Sequence, residues 1–199
     1  MKINSNNYKQ FTCFVLILIA LSSVCVYFFN TYLQSHNIQM PFYIEAPSIS
    51  FIYGLLFFFF DRYLWKLNFF KKLNIIIDED LNGEWVGKSK SSFDELQTEI
   101  DVKLIIKQTA TKITIQGKFN NSKSISLNAN FEKSEVDDSV ALFYFYRNEP
   151  NYDAVKTMAV HEGSVKLIYN KEENSLEGYY YSGRDRNNHG TIKVYRQQT

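Results

Sequence analysis

The chain of 199 residues has two cysteines, three histidines and three prolines. Both cysteines, Cys13 and Cys25, fall inside one apolar run. Twelve positions apart on one helix, they are too distant to bridge each other. The rest of the chain is free of cysteine, so no disulfide framework holds it, a composition that suits a reducing compartment. With so few histidines and no C-x-x-C pair, G-x-S-x-G elbow or phosphate-binding loop, enzyme chemistry is the weakest class of function. No catalytic or metal-ligating residues and no cofactor are assigned. The sequence also lacks a strong charge of either sign. Net charge is +1, and residues 76–199 carry sixteen Lys/Arg against nineteen Asp/Glu. A protein of the nucleic-acid duplex should instead be basic along one face.

What the chain has in excess is aromatic and apolar residues, concentrated at its start. "FTCFVLILIALSSVCVYFF", Phe11 to Phe29, is nineteen residues without a charge, close to the length that crosses a hydrocarbon core of about 30 Å. The alternative is a cleaved signal peptide, but the run is long for one and no A-x-A site follows. A second run, Met40 to Phe60, contains "SISFIYGLLFFFF" and one charge, Glu45. Pro47 suits a first helical turn, so this helix is expected to begin near Ala46. That places Glu45 at the membrane interface; an intramembrane functional acid is the alternative. The expected spans are about 11–29 and 43–63.

Lys2 and Lys9 precede the first span, and Arg62, Lys66, Lys71 and Lys72 follow the second, whereas the connecting "NTYLQSHNIQM" has no Lys or Arg. The positive-inside rule puts both ends of this hairpin in the cytoplasm. Residues 1–75 are thus expected to form a membrane hairpin with a juxtamembrane linker, and residues 76–199 a cytosolic domain. "DRYLWKLNFFKKLN", Asp61 to Asn74, reads as an interfacial anchor or a continued helix.

Beyond residue 80 the apolar period drops to two. Ile100, Val102, Leu104 and Ile106 share a parity, as do Ile113, Ile115, Gly117 and Phe119, then Ile125, Leu127, Ala129 and Phe131. Strict alternation over such lengths specifies half-buried strands. With "LNGEWVGKSK", "VALFYFYR", "GSVKLIYN", "LEGYYYSG" and "GTIKVYR" the count is eight, joined by short polar connectors. Eight antiparallel strands in series close into an up-and-down barrel, which abolishes sheet edges; a sandwich is the alternative. Such a barrel either fills with side chains or holds one small ligand.

In that barrel the connections alternate between two rims. Glu79, Asp80, Glu132, Glu172 and Glu173 gather at one, and Lys90, Lys118, Lys123, Arg147, Lys156, Arg184 and Arg186 at the other, which also has the longest loops, "NEPNYDAVK" and "RDRNNH". Long loops on a rigid scaffold are where binding concentrates, so an anionic ligand is expected to enter there.

"GEW" matches the G-x-W start of lipocalin-like barrels, in which the Trp plugs the closed end and a late Arg packs over it. Trp85 and Arg196 are both inward by parity, and a cation over an indole is stabilising. The whole arrangement, two apolar spans, a basic juncture and a minimal eight-stranded barrel opening on "LNGEWVGK", resembles the two-transmembrane β-barrel effectors of bacterial CBASS anti-phage immunity, the CD-NTase-associated protein 15 family. The resemblance implies that a phage-activated nucleotidyltransferase makes a cyclic oligonucleotide, usually a cyclic dinucleotide. The barrel would bind it, the protein would self-associate, and the helices would disrupt the inner membrane.

Such a ligand wants basic groups and aromatic faces. Arg147, Arg184 and Arg186 supply the first, and Tyr144, Tyr146, Tyr152 and Tyr180 the second. His161 is another possible contact, although a lone strand histidine is more often structural. Two rivals stand beside this reading. One is a membrane-tethered, lipocalin-like carrier of an apolar molecule, which needs at most one or two buried charges, whereas a nucleotide receptor needs several basic groups converging at the mouth. The other is an interaction module whose barrel is filled by its own side chains.

Overall fold

A computed structural model describes residues 5–39, 41–72, 79–134, 139–156, 158–183 and 186–197. The chain divides into two compact units, one of helices and one, from Glu79 onward, of strands.

In the helical unit α1 runs Ser5–Ser35, α2 Phe42–Arg62 and α3 Asn68–Lys72. Positions four apart lie on one helix face, and α1 buries such a row, Phe14, Leu18, Ser22 and Val26. The Phe14 and Phe60 rings lie 4.3 Å apart between α1 and α2, and Phe70 of α3 joins them at 5.2 Å from Phe60. The Ser22 hydroxyl, buried in this row, donates to the Leu18 carbonyl at 2.7 Å, which satisfies it without a partner from another helix. The remaining faces leave Leu16, Ile17, Leu21, Phe28, Phe51, Phe58 and Phe59 exposed. Among the described residues one helix, Lys9–Ser35 within α1, is long and apolar enough to cross a bilayer.

The start of α2 differs from the expectation. Pro41, in extended conformation, is its N-cap, and Pro47 lies inside the helix. Two prolines compete for the starting role, and Pro41 takes it, so Glu45 belongs to the first turn of α2. Pro47 has no N–H to donate to the carbonyl four residues back, and nearby Ser48 returns a hydroxyl bond to the Ile44 carbonyl at 2.8 Å.

The strand unit is a closed antiparallel barrel in sequential order. Its strands are β1 Gly83–Ser91, β2 Ile100–Gln108, β3 Ile113–Phe119, β4 Ser122–Lys133, β5 Val140–Pro150, β6 His161–Asn170, β7 Ser175–Ser182 and β8 His189–Arg196. β8 closes on β1 with Trp85 opposite Arg196 and Ser91 opposite Gly190. No sandwich forms, because the alternating faces let every strand find two neighbours. Two single 3-10 turns, Ser92–Asp94 and Tyr152–Ala154, sit in the β1–β2 and β5–β6 connections.

Inward parity fills the middle of the barrel with Leu104, Ile106, Ile115, Leu142, Leu167, Leu176 and Val194, each at most 2 % exposed. Burying one such side chain is worth about 1.5–3 kcal/mol, so this plug of aliphatic residues is the main source of cohesion.

One end is sealed. Trp85 is fully buried and donates from Nε1 to the Leu81 carbonyl at 3.0 Å. The Arg196 guanidinium lies 4.7 Å from the indole centroid and donates through Nη2 to the Asp80 carbonyl. Asn82 and Gln108 lock this rim by exchanging bonds, Gln108 N–H to Asn82 Oδ1 at 2.7 Å and Asn82 Nδ2 to the Gln108 carbonyl at 3.0 Å.

β4 departs from the expected alternation. Its register against β5 shifts between Ser126 and Asn128, a β-bulge, and one extra residue reverses which side chains face inward. Ala129 and Phe131 pack on the core as expected, but Ile125 and Leu127 are 52 % and 57 % exposed. Ser122 and Ser124 point inward instead and are buried. At the bulge the Ser126 hydroxyl accepts from Ile115 N–H at 2.9 Å, standing in for a ladder carbonyl.

Candidate ligand-binding pocket

Opposite the Trp85 seal, the barrel holds a cavity of about 220 Å³ at the rim formed by the β1–β2, β3–β4, β5–β6 and β7–β8 connections. Successive inward positions build its wall. Tyr144, Tyr146 and Asn148 project from β5, and their partners on β6 are Val165, Gly163 and His161. Tyr180 and Ser182 come from β7, Ser89 and Ser91 from β1, Ser122 and Ser124 from β4, and Ile192 from β8. Asn120, Asn121, Met158, Arg186 and Asn188 complete it from the connections.

Two glycines let tyrosine rings lie flat against the wall. A Cβ at Gly163 would meet the Tyr146 ring, with Cζ at 2.5 Å, and one at Gly190 would meet Tyr180 Cε1 at 2.5 Å. Each glycine is the cross-strand partner of the tyrosine that covers it. Tyr144 and Tyr146 meet edge to face with centroids 6.4 Å apart, and Tyr146 meets the His161 ring at 6.3 Å.

Polar groups are concentrated here. Six polar residues are buried among those described, and four of them, Ser89, Ser122, Ser124 and Asn148, line this cavity. These hydroxyls and the amide give the open end of an otherwise aliphatic barrel hydrogen-bonding groups that a polar occupant could use. Burial pushes the phenol of Tyr144 far above its ordinary value. It also raises Tyr146, against the lowering effects of a hydrogen bond with Ser182 and of the Arg186 charge. Both tyrosines therefore stay neutral donors at physiological pH. Arg186 is the one permanent cation among the described lining residues. It is carried on a turn in which its N–H bonds the Gly183 carbonyl at 3.0 Å, and Ser182 N–H bonds the Asn188 carbonyl at 2.7 Å. Among the described residues no group of three or more His, Cys, Asp or Glu is placed to hold a metal.

Of the residues singled out from sequence, the cavity brings together Tyr144, Tyr146, Tyr180 and Arg186, and His161 with them. Arg147 has the opposite parity on β5 and pairs loosely with Glu149 at 3.7 Å on the outside. Tyr152, in the 3-10 turn of the β5–β6 connection, is 94 % exposed. Arg184 lies outside the described residues. The basic rim is partly self-neutralised, since Lys90 also meets Glu99 at 3.5 Å. Sequence reading missed Ser89, Asn148 and the β4 serines. Extending the parity of Trp85 and Gly87, or of Tyr144 and Tyr146, by one step reaches Ser89 and Asn148. The serines were hidden by the bulge.

A family model described as Cap15, cyclic dinucleotide receptor domain, matches residues 79–196, the whole of the barrel. The chain belongs to the Cap15 family. Similarity to one Cap15 relative, CD-NTase-associated protein 15 of Yersinia aleksiciae, extends beyond the barrel, with 25 % identity over 188 residues that cover 94 % of this chain and 86 % of that protein. The stretch matched by the Cap15 model carries both ends of the barrel, the Trp85–Arg196 seal and the tyrosine-walled cavity.

Proposed function

We propose that this protein is the membrane-bound effector of a cyclic-oligonucleotide anti-phage system, and that its barrel cavity receives a cyclic dinucleotide made by the partner nucleotidyltransferase. The observation that carries the reading is an open cavity walled by Tyr144, Tyr146 and Tyr180, with Arg186 at its mouth, inside the stretch matched by the receptor-domain model. Tyrosine faces stack nucleobases, a guanidinium grips a phosphate, and buried Ser and Asn groups bond base edges and ribose hydroxyls. The single lining cation, Arg186, is a number that a carrier would also tolerate, so what favours the receptor over the carrier is the set of four buried polar residues in the lining.

In this reading α1 and α2 are both membrane spans and both termini are cytoplasmic, as the Lys and Arg flanks favour. Ligand binding drives self-association, and the assembled helices, with exposed faces rich in Phe and Leu, disrupt the inner membrane.

The test is calorimetric titration of the full chain in detergent micelles with cyclic di- and trinucleotides and a fatty acid as control. Saturable binding of a cyclic dinucleotide is expected, weakened about 10-fold or more by Arg186→Ala, since a hydrogen bond to a charged group is worth about 1.5–3 kcal/mol. Arg147→Ala should change it less than about 2-fold, because an exposed ion pair contributes little. Binding of the fatty acid alone would support the carrier, and no binding by folded protein would end the receptor reading. Dye release from loaded vesicles on adding the same ligand tests the membrane step.

A further inference from the structure

The connection between β5 and β6 makes a contact that neither strand pairing nor core packing requires. Asn148 is buried and lines the cavity, and its amide nitrogen donates to the thioether sulfur of Met158 at 3.4 Å. A thioether is a weak acceptor, so this buried donor holds a poorer partner than an oxygen would be. Met158 lines the same cavity, and its backbone N–H is tied to the Ala154 carbonyl at 2.9 Å. The connection is moored to the neighbouring β3–β4 hairpin, where Asn151 N–H to the Asn121 carbonyl at 2.8 Å extends the β4–β5 pairing by one position and Asn151 Nδ2 donates to the Asn120 carbonyl at 3.1 Å. Bonds at Asn151 and at Met158 thus hold a flexible side chain against a buried amide.

We propose that Asn148 reads a nucleobase edge of the ligand, and that Met158 occupies its donor until that edge arrives. This rests on the receptor reading above and names what the site recognises. A carboxamide presents a donor and an acceptor side by side, which matches a base edge that does the same, whereas a phosphate only accepts. Aromatic surface stands next to it, since His161 is its cross-strand partner and Tyr146 lies two residues inward on β5. A base lying along those rings brings its edge to the amide. The base acceptor then replaces the sulfur on Nδ2, and Met158, with three rotatable bonds, repacks against the base.

The experiment titrates the full chain in detergent micelles with cyclic di-AMP, cyclic di-GMP and cyclic di-UMP, for the wild type, Asn148→Leu, Asn148→Asp and Met158→Leu, with folding checked by circular dichroism. Asn148→Leu should lose roughly 5- to 100-fold in affinity for the preferred ligand, the worth of a good bidentate pair. Asn148→Asp, which offers acceptors only, should reorder the three ligands toward cyclic di-GMP, whose base presents adjacent donors. Met158→Leu removes the competing acceptor at similar volume and should tighten binding by about 2- to 10-fold, in line with one modest hydrogen bond, while lowering the melting temperature of the free protein. Folded Asn148→Leu that binds like wild type, or Asn148→Asp that weakens all three ligands equally, would make Asn148 a structural residue and overturn the inference while leaving the receptor standing. Wild type that binds none of the three, and none of the mixed-base cyclic dinucleotides added as a fourth arm, would overturn both. If Asn148→Leu does not fold, the ligand order of Asn148→Asp and the affinity of Met158→Leu decide.

Discussion

Replacing Arg196 by Met keeps the aliphatic stem over Trp85 and removes the charge. Two interactions go with it. A cation over a desolvated indole is worth about 2 kcal/mol, and the bond from Nη2 to the Asp80 carbonyl, having a charged donor, about 1.5–3 kcal/mol. One cost is relieved, because Arg196 Nε is buried with no hydrogen-bond partner, a burden of about 1–3 kcal/mol. The net loss expected is about 2 kcal/mol, or roughly 30-fold in the local opening equilibrium. Native-state hydrogen exchange, read by mass spectrometry on β1 and β8 peptides of the full chain in detergent, measures it where it acts. Ligand affinity should stay within about 2-fold, since the cavity is at the other rim. Exchange accelerated less than about 3-fold would refute the energetic argument. A lost ligand site with unchanged exchange would refute the separation of seal from pocket.

Two further substitutions probe the barrel wall and its buried phenols. At Gly178 an added Cβ would press on the Lys166 carbonyl oxygen and lie 3.0 Å from Leu167 Cα; as these are strand backbone atoms, Gly178→Ala should cost about 1–3 kcal/mol, seen as a lower denaturation midpoint with retained β-sheet dichroism. Tyr144, pushed up from the ordinary phenol value of 10.0 by burial, keeps its proton in the folded barrel after the unfolded chain has lost it. Its contribution to stability is complete below pH about 10 and falls by about 1.4 kcal/mol per pH unit above that. Thermal midpoints between pH 8 and 11 should therefore drop more steeply for wild type than for Tyr144→Phe, and parallel curves would contradict the burial assigned to this ring.

The barrel was legible because alternation is a local property that survives into the fold. β2 and β3 kept the expected faces, and the pairing of Trp85 with Arg196, implied by the likeness to lipocalin-like barrels, agreed with the inward parity of both residues. β4 failed for a local reason as well, since a single bulged residue reverses a period of two and leaves no mark in composition. In the site, aromatic residues were easier to place than cations. Tyr144, Tyr146 and Tyr180 are strand residues whose parity fixes their face, whereas Arg147 is one residue out of phase and Tyr152 rides on a turn. Type suggested Arg147 for the ligand, while position favours its neighbour Asn148. Pro47 misled similarly, because a start signal six residues earlier, at Pro41, outweighed it.

The β3–β4 border bears on how the cup accepts a guest. Those strands pair only over Gln116–Lys118 against Lys123–Ile125, whereas β4 and β5 pair from Ser122 with Pro150 to Lys133 with Val140. A closed ring stretched from within parts first at its shortest weld. Phe119, Asn120, Asn121, Ser122 and Ser124, at that border, are also part of the cavity wall. In the receptor proposed above, the compliant side of the cup is therefore a side that the ligand would touch, and a bulky guest would be accommodated by spreading this seam while the sealed base stays shut.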